Sequence, residues 1–306
     1  MALAASSCYF AGMPAVAQSA RRAIECILKN VGPWKGGLLV REPGSGDKVW
    51  GKLGSTALLA ASLTVPAFNG HFEKQREALF RSISSAQEAD GSFCCNPGSD
   101  RADGKGIDYY PGEALVALLL NAQAGDREKL KLVNVAFEYY RDHFRTKPTT
   151  AFVGWHAEAW SRAASLCGNS DYAAFVFEQV DWLLGLQLTD RSRDGLNGGF
   201  IVQTAVPPSV SSVVYTEAVV RGLAAARRLG DTVRMERYKK SALAGLRFCL
   251  QLIVSREQAG FLEEPDRAYG GVTGSLHTFD VRADHVQHTI TLLLATLEQA
   301  ASLDIA

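Results

Sequence analysis

The sequence has no excess charge of either sign. Its 306 residues hold 32 Lys and Arg against 32 Asp and Glu, a formal net charge of zero. Binders of nucleic acid or of anionic membrane surfaces carry a basic excess or patch, so neither class is expected. No uncharged run is long enough to cross a bilayer. The segment Met1 through Ala20 lacks the early Lys or Arg of a secretory signal, although Ala15-Val16-Ala17 has the small residues of a cleavage site. A soluble, cytoplasmic protein is the expectation. Cysteine is scarce, six residues with no CxxC pair and no zinc-ligand spacing. Cys26, Cys167 and Cys249 sit in apolar helical contexts and are expected as buried free thiols. Cys8 stands alone, and adjacent Cys94 and Cys95 are either bystanders or a redox pair. There is no HExxH, and no GxGxxG after a strand. The glycine-rich Gly195-Leu-Asn-Gly-Gly-Phe200 lacks the Lys-Ser/Thr ending of a phosphate loop. Neither a metal nor a cofactor is implied.

Helical periodicity is abundant, and it alternates in kind. A nearly all-apolar helix at 51–65 precedes an amphipathic one at 71–87. The same order recurs at 111–124 with 127–145, 153–167 with 170–188, and 212–229 with 231–254. An amphipathic helix at 16–30 comes first, and an apolar one at 282–302 ends the series without a successor. Partners are joined by Gly125-Asp126, by Gly168 through Asp171, and by Gly230-Asp231: a glycine to close one helix and an aspartate to cap the next. Such short junctions make the partners antiparallel. Strand content is expected to be small, near 38–40 and 200–204. The longer links share a glutamine followed by glycine and an aromatic: Gln87 with Gly91 and Phe93, Gln187 with Gly198 and Phe200, and Gln251 with Gly260 and Phe261.

These glutamine–glycine–aromatic links resemble the QW motifs of the terpenoid-cyclase and protein-prenyltransferase superfamily, whose fold is an α/α toroid. The apolar-then-charged helix pairs are similar to those of (α/α)-barrel glycosidases, sugar epimerases and uronate lyases. The resemblance implies an all-α fold, a single α/α-toroid domain over residues 1–306 with inner and outer antiparallel helices. The helices at 16–30 and 282–302 would pack together to close the ring. The DxDD, DDxxD and Asp-x-Cys-plus-His patterns of those families are absent, so no catalytic residue is carried over.

In such a ring the inner helices are parallel and their openings share one cavity. The residues there are Lys52, Ser55, Tyr109, Tyr110, Glu113, Trp155, His156, Glu158, Tyr215, Thr216, Glu217, Arg282, Asp284, His285, Gln287 and His288. Glu113 and Glu217 stand in first turns, where a carboxylate either stabilises the helix dipole or serves as acid or base. His156 is a structural or a proton-transferring histidine, and Trp155 is core or a sugar-stacking platform. Asp284 and His288 are one turn apart, so the carboxylate can orient the imidazole as a base, form a buried structural pair, or contribute to a metal site. Arg267 is a substrate clamp or a surface arginine. The expected function is acid–base chemistry, of hydrolase, lyase or epimerase type, on a polar carbohydrate or carboxylate-bearing small molecule. Glu113, His156, Glu217, Asp284 and His288 are the catalytic candidates, with Lys52, Tyr109, Tyr110, Trp155, Glu158, Tyr215, Arg267, Arg282, His285 and Gln287 binding substrate. The alternatives are a terpenoid-cyclase-like enzyme and a non-catalytic ligand-binding toroid.

Overall fold

The computed structural model describes residues 14–44, 49–100, 104, 106–122, 126–189, 195–202 and 206–304. The expectations at Cys8, Gly125 and 203–204 fall outside them. The order is α1 (Pro14–Leu28), β1 (Val31–Trp34), β2 (Gly37–Val40), α2 (Leu53–Ser62), α3 (Glu73–Ser85), α4 (Tyr110–Asn121), α5 (Arg127–Thr146), α6 (Thr150–Cys167), α7 (Ser170–Leu184), α8 (Ser211–Leu229) and α9 (Thr232–Leu250). Two short helices follow, α10 (Arg256–Ala259) and α11 (Pro265–Ala268), then α12 (Ala283–Glu298) and α13 (Ala300–Leu303). The chain forms two compact units, one up to Tyr172 and one from Ala173 onward, so the boundary falls within α7.

In the N-terminal unit α2 packs on α4 and α4 on α6, while α3 and α5 each pack against the helix they follow. In the C-terminal unit α8 packs on both α9 and α12. The apolar helices are the buried ones. Nine of the twelve α4 residues are buried, Pro111 through Leu119. Helix α3 instead buries a stripe of Ala78, Leu79, Phe80, Ser82 and Ile83.

Local chemistry accounts for the helix ends. Asp126 and Asp231 accept hydrogen bonds from the backbone N–H of Lys129 and Arg234 at 3.2 and 3.0 Å. Gly168 and Gly230 close α6 and α8 at φ 66° and 69°, where a side chain is strained. Between α6 and α7 the side chain that accepts is Asn169, from the Asp171 N–H at 2.9 Å, and not the expected Asp171. The extended piece at 38–40 is β2, which pairs with β1 across a tight turn at Lys35 and Gly36, both at positive φ. Among the described residues near 200 there is an isolated bridge, Gln187 to Phe200, in place of a strand.

Two of the three expected links have one geometry. Gln87 bridges Phe93 and Gln187 bridges Phe200 in antiparallel fashion. The residue after the aromatic donates to the residue before the glutamine, Cys94 to Ala86 at 2.8 Å and Ile201 to Leu186 at 2.9 Å. Each glutamine amide also donates to a carbonyl of the following charged helix, Leu132 of α5 at 2.8 Å and Ser241 of α9 at 3.0 Å. Three residues farther along those helices, the carbonyls of Val135 and Ala244 press on Gly91 and Gly198, both at φ 92°, leaving no room for a Cβ. The links therefore staple successive charged helices by backbone contact.

The third link is offset from its expected place. Its bridge joins Ile253 to Val272, with Val254 N–H on the Gly271 carbonyl at 2.8 Å and Thr273 N–H on that of Leu252 at 2.9 Å. Gly270-Gly271-Val272 thus stands where Gly198-Gly199-Phe200 stands in the second link. The α10–α11 segment is inserted between the halves, and Phe261, the aromatic expected in this link, is 86% exposed on it. Gln251 turns its amide to the carbonyls of Gly195 and Arg247, both at 3.2 Å.

The thiols also divide. Cys249 is buried as expected, and burial pushes it up to about 12. Cys26 and Cys167 are exposed, Cys26 on the solvent side of the last turn of α1 and Cys167 at the end of α6.

Candidate functional site

The Ile107–Glu113 stretch builds the opening of α4. Gly106 donates the turn's positive φ of 90° and leaves no room for a Cβ beside the Tyr110 ring, so that ring is pinned over it. Pro111 occupies the first turn, where its missing N–H costs nothing. Glu113 follows, buried, with its Oε2 filling the space over Gly54 of α2 that a methyl group would take. Gly112 brings α6 equally close: a Cβ there would lie 2.6 Å from Trp155 Cβ and 3.2 Å from the His156 backbone N. Two glycines thus let α2 and α6 each approach α4 closely near its opening.

Two effects oppose each other at Glu113. The positive end of α4 favours a carboxylate by about 0.3–1 kcal/mol. Burial disfavours it and prevails, pushing the carboxyl up to about 7 from an ordinary 4.5. Burial likewise raises the Tyr110 hydroxyl. At the rim Lys52 forms an ion pair with Glu42 at 3.1 Å, and that hydrogen bond is the main reason its ammonium is held above its ordinary value.

Two further glutamates recur in the same Glu-Ala pair on buried helices but differ in their partners. Glu158 of α6 pairs with Arg162 at 2.7 Å and Glu217 of α8 with Arg221 at 3.3 Å, each one helical turn on. Glu217 also accepts from Thr291 of α12 at 3.0 Å, and Arg221 reaches Glu298 at 3.2 Å. The residue one turn beyond Glu113 is Ala117, so no cation of its own helix holds it ionised. The i+4 residue is the sequence signal that separates the three carboxylates.

His156 is fully buried and stacks on Phe152, ring centroids 3.6 Å apart, with Tyr140 at 5.0 Å. Neither ring nitrogen has a hydrogen-bond partner among the described residues. Burial, helped by the charge of His143, holds this imidazole well below its ordinary range. It packs as a neutral aromatic, away from the water that a proton-transferring base must reach.

In the C-terminal unit Asp284 is half-exposed, and the Arg282 guanidinium takes both its oxygens, at 2.9 and 2.7 Å. Burial works against its charge, yet these hydrogen bonds hold the carboxyl below its ordinary value. The expected partner, His288, is half-buried and gives its backbone carbonyl to Thr291 at 2.8 Å. His285 is buried, its Nδ1 3.3 Å from the Val272 carbonyl, and Gln287 is half-buried. Tyr215 is buried edge-on to Phe200 at 5.6 Å. Tyr109 is exposed beside the α4 opening, and Arg267 is 82% exposed and pairs with Glu264 at 2.6 Å, the surface arginine of the two alternatives.

Lys52, Tyr110, Glu113 and Trp155 are therefore gathered in the N-terminal unit, and Glu217 is tied to α12 in the C-terminal one. No group of three or more His, Cys, Asp or Glu among the described residues is placed to hold a metal ion. No described helix is long and apolar enough to cross a membrane. Comparison of the chain with protein-family models finds none that matches, and comparison with curated proteins finds no match.

Proposed function

We propose that the helix pairs close into an α/α toroid and that the protein is an enzyme of acid–base chemistry on a polar, carbohydrate or carboxylate-bearing small molecule. Glu113 is its proton donor. The observation that carries this reading is one carboxyl, buried at a helix opening, with burial pushing it up to about 7. A group that is half-protonated at neutral pH gives and takes a proton with little driving force lost, which is what general acid–base catalysis needs. A carboxyl kept only for capping is better served in its ionised form. Lys52 at the rim supplies a cation for a substrate carboxylate, in competition with Glu42. Glu217, paired with Arg221, is the second carboxylate of the proposed chemistry. The reading is tested with a panel of glycosides, uronates and unsaturated uronates, monitored for reducing ends, double-bond absorbance and epimer exchange. Turnover by the parent chain and its loss in Glu113→Gln support it. Turnover that survives Glu113→Gln contradicts the assignment, and no turnover or bound sugar in soaked crystals contradicts the substrate class.

The two glutamine staples favour a second reading, an enzyme like the terpenoid cyclases, since the links resemble their QW motifs. That reading requires products from squalene or prenyl diphosphates, and product analysis after incubation separates the two.

A further inference from the structure

We propose that the α10–α11 insertion and the loop from Ser275 to Val281 form a docking surface for a basic segment of a partner protein that carries one apolar anchor side chain. The inference is independent of the function proposed above. It rests on three observations within the C-terminal unit.

The first is apolar exposure. Phe261, Tyr269 and Phe279 are 86, 52 and 72% exposed, and Val281 is 46% exposed, all within the same insertion and loop. The second is a cleft of about 90 Å³ between the two segments, lined by Leu252, Val254, Leu262, Leu276, Phe279 and Val281. It has the room of roughly three waters at ~30 Å³ each, enough for one aliphatic side chain. Small-molecule sites are larger, about 300 Å³ or more. Its walls are preformed: a capping box of Ser255 and Gln258 starts α10, and Ser275 Oγ accepts from the N–H groups of His277 and Thr278 at 3.1 and 3.0 Å. A rigid cleft does not have to be ordered when an anchor enters.

The third is the sign of the rim. Residues 255–284 hold six carboxylates and three arginines, a net charge of −3 in a chain whose total is zero. The arginines are occupied: Arg256 lies over the Tyr269 ring, Arg267 pairs with Glu264, and Arg282 with Asp284. Glu257, Glu263, Asp266 and Asp280 are exposed and have no ion-pair partner among the described residues. That sign decides between occupants. A second copy meeting this face about a two-fold axis would set one acidic rim against another. Anionic lipid headgroups and nucleic acids are repelled in the same way. A segment with lysine or arginine flanking a leucine-like anchor satisfies both the cleft and the rim.

The test is a random dodecamer peptide-display library, panned on the full chain and counter-selected on a Leu262→Ser/Phe279→Ser variant. The expected survivors carry an apolar residue flanked by Lys or Arg. A fluorescent copy of the consensus should bind the parent and weaken about tenfold or more when salt rises from about 50 mM to about 500 mM. It should weaken similarly on a Glu263→Lys/Asp280→Lys variant, whose changes are wholly on the surface and leave the cleft intact. No survivors after counter-selection, survivors without basic residues, or sedimentation of the parent as a dimer that Phe279→Ser dissociates would each overturn the proposal.

Discussion

Replacing Glu113 with glutamine should make the protein more stable in alkali while changing little in acid. The carboxyl ionises at 4.5 in an ordinary setting and at about 7 in the fold. The folded state therefore holds the proton more tightly than the unfolded state. The stability this contributes is complete below 4.5 and is lost as pH rises through 7. At roughly 1.4 kcal/mol per factor of ten, the ionised group costs about 3 kcal/mol once both forms are deprotonated. Glutamine fills the slot over Gly54 without ever ionising. Other titrating groups are common to the two proteins and cancel in the comparison. The stability difference should widen in favour of Glu113→Gln by about 2–3 kcal/mol between about pH 4.5 and about pH 8. In thermal melts that corresponds to a shift on the order of 5–10 °C for a chain of this size. Melting curves of both proteins across this range, followed by circular dichroism, provide the assay. Parallel curves would refute the reasoning, because they would mean that the carboxyl titrates alike in both states.

Three further outcomes follow from the same geometry. Gly54→Ala puts a methyl group where Glu113 Oε2 lies, so the carboxyl must leave its slot for a wetter place; the alkaline loss of stability should shrink toward zero, and an unchanged pH profile would contradict this. His156→Phe keeps the stack on Phe152 but removes a buried imidazole whose folded value is depressed. The parent should lose stability relative to the variant as pH falls below 6.5, by up to about 1.4 kcal/mol per pH unit, read from urea titrations at several pH values. Gln187→Ala removes the amide bonds to the Gly198 and Ser241 carbonyls and the acceptor of the Ser241 hydroxyl, and should cost about 1–3 kcal/mol in chemical denaturation; an effect near zero would show that the link is not a staple.

Much of the helical order was legible because it rests on local rules. Gly168 and Gly230, and the caps Asp126 and Asp231, need only their neighbours in sequence to act. The staples at Gln87 and Gln187 were visible as a recurring pattern, although their partners on α5 and α9 were not. The third link was misplaced for a physical reason. An insertion separates its strands, and valine replaces the aromatic, so the nearer Gly260-Phe261 pair imitates the pattern while pointing into solvent. The difference between Glu113 and Glu217 was present in the sequence, in Ala117 against Arg221, but spacing from the helix start alone does not reveal it. The burial of His156 was hidden too, because it depends on Tyr140 of another helix. Helical spacing sets Asp284 one turn before His288, whereas the preceding Arg282 takes both its oxygens, a contact that helical spacing does not show.

The central claim is that the fold keeps Glu113 half-protonated at neutral pH. Carbon-13 NMR of the full chain labelled at glutamate side-chain carboxyls measures this directly, with the Glu113 signal assigned by its loss in Glu113→Gln. The account predicts one carboxyl resonance that titrates with a midpoint near 7, against an ordinary value of 4.5. A Glu113 resonance that titrates at the ordinary value would contradict it.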